Sequence, residues 1–137
     1  MRPLVDTVRI SRQGRDHLIK IRRQTGLEHW NIICRWAVCA SLREPTKPPA
    51  VREALDSGVE MTWKVFAGDQ GDLFTALLTF RANREGQADS QEALANSFKA
   101  HLHRGLSYLA SGQDTKTIAD FLERWLDHRP KGSGRSN

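Results

Sequence analysis

Six cationic side chains fall close together near the start of the sequence: Arg9, Arg12, Arg15, Lys20, Arg22 and Arg23. Cations at this density suit the gripping of phosphate groups on a nucleic-acid backbone. Arginine is well fitted to it, because its planar guanidinium can donate two parallel hydrogen bonds to one phosphate. The charge is also unevenly spread. Residues 1–44 hold nine basic and four acidic side chains, and residues 45–137 hold twelve of each. The whole net charge of +5 therefore lies in the first third. A surface charged only for solubility has no reason to divide this way, and a localised face for a polyanion does.

Other chemistries find less support. Asp69 with Asp72, and Glu123 with Asp127, can each share a helix face. Neither pair has a nuclease spacing, and helix capping or surface charge accounts for both. The five histidines form no HxxxH pair, and no Ser/His/Asp set can be assembled, so all five read as structural. Cys34 and Cys39 stand five apart, about 140° around a helix. That fits neither a zinc knuckle nor a redox pair, and both read as reduced, buried thiols. Gly68 and Gly71 in FAGDQGD lack the lysine and spacing of a phosphate loop. Trp30, Trp36, Trp63 and Trp125 sit among apolar neighbours and read as core. No catalytic set, metal site or cofactor is expected.

The elements that must position the cations can be read from periodicity. Residues 4–10 alternate as a short strand, with Leu4, Val8 and Ile10 on one face and Val5, Thr7 and Arg9 on the other. Residues 12–25 form a helix, with Ser11 placed to cap it and Gly26 to end it. Wound at 100° per residue, Arg12, Arg15, Lys20, Arg22 and Arg23 cover one arc of about 160°. Gly14, Leu18 and Ile21 lie opposite, and Ile19 is stranded among the cations. Residues 28–43 form a second helix, apolar nearly all the way round, which predicts burial on most sides and in part by another subunit. Arg35 in its middle must be paired or reach an edge. PTKPPA, residues 45–50, is a linker. Residues 59–66 alternate as a second strand, with Val59, Met61, Trp63 and Val65 on one face, and are a partner for residues 4–10. Helices follow over 69–84, with Asp69 as cap, over 90–111, with Asp89 and Glu92 in capping-box spacing, and over 115–128, capped by Asp114. Residues 129–137, ending in PKGSGRSN, form a flexible tail.

A chain of 137 residues, 39% apolar and 27% charged, is a single soluble globular domain over residues 1–128. No apolar run approaches the roughly 18 residues that span a bilayer. Asp6, Arg9 and Arg12 interrupt any signal-peptide core, which predicts a cytoplasmic protein without membrane contact.

Three blocks resemble the DndE family: DTVRISRQGRDHLIKIRRQTGLEHWNIICRWAVCASL (6–42), EMTWKVFAGD (60–69) and HLHRGLSYL (101–109). CRWA and EMTWKVF are the most specific. The resemblance implies a non-catalytic DNA-binding subunit of the bacterial DNA phosphorothioation machinery. Such a subunit acts beside a cysteine desulfurase, an iron–sulfur partner and a sulfur-transfer enzyme that replace a backbone phosphate oxygen with sulfur. It implies a mainly α fold with a ribbon–helix–helix-like N-terminal unit, two short strands and a C-terminal helical part, assembled as a homo-oligomer, a tetramer. It implies binding of double-stranded DNA with a preference for nicked duplex. The family's basic surface falls on Arg12, Arg15, Lys20, Arg22 and Arg23, mostly arginine here where other members use lysine.

Two alternatives use the same residues. A ribbon–helix–helix repressor would read an operator through the N-terminal strand, with Arg9 and Thr7 as its base-reading side chains. An adaptor would bind an acidic protein partner through the basic helix. Strong sequence preference marks the first, and partner binding without DNA affinity marks the second.

Overall fold

A computed structural model of the chain describes residues 3–111. The elements run β1 (Thr7–Arg9), α1 (Arg12–Thr25), α2 (Trp30–Leu42), β2 (Glu60–Thr62), α3 (Trp63–Ala67), a 3-10 turn (Gly68–Gln70), α4 (Gly71–Arg84) and α5 (Gln91–Ala110). The expected helix over 115–128 and the tail over 129–137 lie outside the described residues.

The architecture is mainly helical, with one two-stranded antiparallel sheet. β1 pairs with β2 of the same chain, Val8 opposite Met61 and Arg9 opposite Glu60. The buried face of the first strand is as the alternation predicts, with Leu4, Val8 and Ile10 all withdrawn from solvent. α5 is the central strut, packed against α1, α2 and α4. Its Phe98, Leu102 and Leu106 meet Leu18 and Ile21 of α1 and Ile33, Ala37 and Val38 of α2 in one core. Close approach of α5 to α2 depends on Gly105, where an added Cβ would fall 1.8 Å from the Ala37 carbonyl oxygen.

α1 matches its expected bounds because both its signals are local. The Ser11 hydroxyl accepts from the Gly14 N–H at 3.0 Å. Gly26 takes a left-handed φ of 78° and donates to the Arg22 carbonyl at 2.8 Å, a conformation that glycine adopts without strain.

The expected strand over 59–66 is shorter than its alternation suggested. Pairing stops at Thr62, whose hydroxyl accepts from the Val65 N–H at 3.1 Å and caps α3. Trp63, Phe66 and Ala67, at helical spacing, turn into the core, while Val65 is 50% exposed instead of sharing the face of Trp63. Trp63, Phe66, Phe74 and Phe98 form an aromatic cluster with ring centres 5.1–5.4 Å apart. Burying these rings together outweighs four more residues of ribbon. Arg35 finds its partners here, donating to the carbonyls of Phe66 and Val65 at the end of α3.

Two expected caps move. Asp69 sits in the 3-10 turn, and α4 starts after Gln70 with no side-chain cap. Ser90, not Asp89, caps α5, its hydroxyl accepting from the Ala93 N–H at 3.1 Å. The hydroxyl reaches the third amide ahead of it, and Asp89 stands one residue too early for that geometry.

Candidate nucleic-acid interface

All six predicted cations are exposed. Five share the outer face of α1, whose opposite side buries Gly14, Leu18 and Ile21 against the core. Ile19, the apolar residue within the basic arc, is half-buried, and exposed Asp16 lies on the same arc. Arg9 stands on β1, three residues before the helix.

The cations differ in what already holds them. Arg9 Nε lies 3.2 Å from Glu60 Oε1 across the ribbon, and Arg12 Nε lies 3.3 Å from Asp56 Oδ1. All four side chains are more than half exposed, so these pairs are weak and a phosphate can replace either carboxylate. Arg22 has its guanidinium carbon 4.6 Å from the centre of the Trp30 ring. For Arg15, Lys20 and Arg23, no carboxylate stands within ion-pair distance among the described residues. Among the described residues nothing pairs with their charge, and all three side chains are open to solvent. Sequence reasoning did not find the carboxylate partners or the Trp30 contact, because all three depend on how distant segments or a turn fold back.

Two partly buried networks position this surface. The first joins α5 to the start of α1. His103 Nε2 accepts from the Ser11 N–H at 3.1 Å, and its Nδ1 donates to the Lys99 carbonyl at 2.9 Å. Only a neutral imidazole can do both. The second closes the C-terminal end of α2. Arg104 donates to the Ser41 carbonyl at 2.8 Å and the Thr46 carbonyl at 2.9 Å. Arg81 donates to the Leu42 carbonyl at 2.8 Å and also to the carbonyl of Glu44. Glu85 accepts from Arg81 Nε at 2.7 Å, and Ser41 Oγ bonds His101 Nδ1 at 2.8 Å. The Leu42 carbonyl, at the last residue of α2, would otherwise be an orphan of the helix end. The groups come from four segments, so no local spacing announces the network.

Burial lowers the pKa of His101, His103 and His17 below the ordinary imidazole value. An unfolded chain therefore takes up these protons at higher pH than the folded one. Stability is full above the unfolded value of about 6.5 and falls as pH drops below it toward the folded values. Melting temperature should hold steady from pH 8 to pH 7 and fall between pH 6.5 and pH 5. A flat profile to pH 5 would contradict the neutral-imidazole bond to Ser11.

The remaining expectations can be placed. Cys34 is buried, which pushes its thiol up to about 12. Cys39 is half-buried, less than predicted, and its thiol is raised by the same cause. Such thiols are poor nucleophiles at neutral pH. Trp63 is buried, and Trp30 and Trp36 are half-buried against the core; Trp125 lies outside the described residues. Among the described residues, no three His, Cys, Asp or Glu side chains stand close enough to hold a metal ion. Nor is any described helix long and apolar enough to cross a membrane.

The fold and this surface define a small, mainly helical protein with a two-stranded ribbon and a cationic first helix. Its sequence matches the DndE family, described as DNA sulphur modification protein DndE, over residues 7–117, and the chain belongs to that family. No curated protein matches the sequence. Among solved structures it is similar to DndE from Escherichia coli B7A, involved in DNA phosphorothioation modification. That likeness has 22% identity and a TM-score of 0.64, over 77% of this chain and 96% of that one. A glycine-to-lysine mutant of DndE involved in DNA phosphorothioation is similar at 21% identity and a TM-score of 0.60, with the same coverage. At these identities the likeness shows a shared fold.

Proposed function

We propose that this protein is a non-catalytic, cytoplasmic DNA-binding subunit of a bacterial DNA phosphorothioation machinery. It grips the phosphate backbone of double-stranded DNA through α1 and favours nicked duplex. It works beside the other phosphorothioation subunits. One observation carries this reading: Arg15, Lys20 and Arg23 stand exposed on one helix face, with no carboxylate in ion-pair distance among the described residues and Arg22 beside them. Cations spread along a helix meet phosphates, which carry no sequence information. The repressor alternative requires Thr7 and Arg9 to be free for bases. Thr7 is half-buried, which leaves it poorly placed to read a base.

The assembly is a homo-oligomer, a tetramer. α2 leaves Trp30, Ile32, Trp36 and Leu42 half-buried. On α4, Leu73, Leu77 and Phe80 line up at helical spacing and are 52%, 43% and 62% exposed. Apolar side chains aligned in this way favour contact with another copy. Light scattering that gives only monomer at micromolar concentration would remove this part of the proposal.

The test of DNA recognition is a binding titration on nicked and intact duplexes of unrelated sequence. With about five phosphate contacts, affinity should fall by two to three orders of magnitude between 50 and 200 mM salt. Nicked duplex should bind more tightly than intact duplex, and base sequence should matter little. Binding to an acidic protein without DNA affinity at 50 mM salt would favour the adaptor instead.

A further inference from the structure

Arg22 differs from the other cations of α1 in what lies beneath it. Its guanidinium carbon stands 4.6 Å from the centre of the Trp30 ring. Trp30 opens α2 and is packed against the core. Arg22 is in the last turn of α1 and exposed. The two meet because the chain reverses between them, through the left-handed Gly26 and the residues up to His29. A ring face attracts a cation through its π electrons and occupies none of the guanidinium N–H donors as a carboxylate would. No carboxylate pairs with Arg22 among the described residues.

We infer that Trp30 is a positioning residue for phosphate recognition, holding the Arg22 guanidinium over its ring with the N–H donors unspent and open to a DNA phosphate. The inference rests on the reading of α1 as a DNA-binding face. A free arginine loses much rotamer freedom when it grips a phosphate, and one already held over a ring loses less. Arg9 and Arg12 are held too, but by Glu60 and Asp56, which a phosphate must displace. The Trp30 ring restrains Arg22 without competing for its donors.

The test is a double-mutant cycle on DNA binding at low salt. Trp30→Leu should weaken binding about two- to fivefold, the size of an exposed cation–π contact. In an Arg22→Ala background, Trp30→Leu should have no further effect, while in an Arg15→Ala background its full effect should remain. If Trp30→Leu does not fold, the same cycle with Trp30→Phe should give a smaller loss that again vanishes without Arg22. Unchanged affinity, or an equal loss with and without Arg22, would overturn the role of Trp30. The underlying reading fails separately, through intact binding after charge reversal of α1.

Discussion

Replacing Arg15, Arg22 and Arg23 together with glutamate should abolish DNA binding and leave the fold intact. All three side chains are exposed, and of the three Arg22 alone lies over a ring packed against the core, that of Trp30. Surface substitutions of this kind cost within about 0.5 kcal/mol each. The effect on binding is far larger, because each substitution removes a phosphate contact and sets an anion against the backbone. Like charges brought together at an interface cost several kcal/mol, so affinity should fall by roughly 100-fold or more. Electrophoretic shifts at low salt read the binding, and thermal melting confirms the fold. Unchanged shifts would reject α1 as the interface.

Gly105→Ala should have the opposite signature, with the fold lost first and binding only as a consequence. The added carbon would fall 1.8 Å from the Ala37 oxygen, 2.3 Å from its carbonyl carbon and 2.8 Å from its Cα. These are backbone atoms, so no side-chain rotation relieves the clash, and α2 must move away from α5. That crossing lies within the single core. Its Ile33, Val38, Leu102 and Leu106 are fully buried, and small-to-large changes in tight packing cost about 1–3 kcal/mol or more. A drop in melting temperature of about 4–12 °C or more is expected. A variant melting within about 2 °C of the parent would show that the helices are not in this contact.

These two variants separate what the sequence makes legible from what it hides. α1 is legible because its cap, its end and its amphipathic period all lie within sixteen residues, Ser11 to Gly26. The charge partition is legible for the same reason, since counting requires no fold. The segment VEMTWKVF is ambiguous, because Met61, Trp63 and Val65 fit a strand while Trp63, Phe66 and Ala67 fit a helix. The decision comes from Phe74 and Phe98, which lie outside the segment, on α4 and α5. The partners of the cations are hidden likewise. Glu60 and Asp56 reach Arg9 and Arg12 only once the ribbon has formed. The bond from Ser11 to His103 spans most of the described chain, and nothing in either local sequence marks it.

The most direct test of phosphate gripping by α1 is the slope of log affinity against log salt, compared between the parent and an Arg15→Ala/Arg23→Ala variant. The account predicts a slope shallower by about 0.9 for each arginine that meets a phosphate. The same slope in both proteins, with DNA still bound, would place the phosphate contacts elsewhere on the molecule.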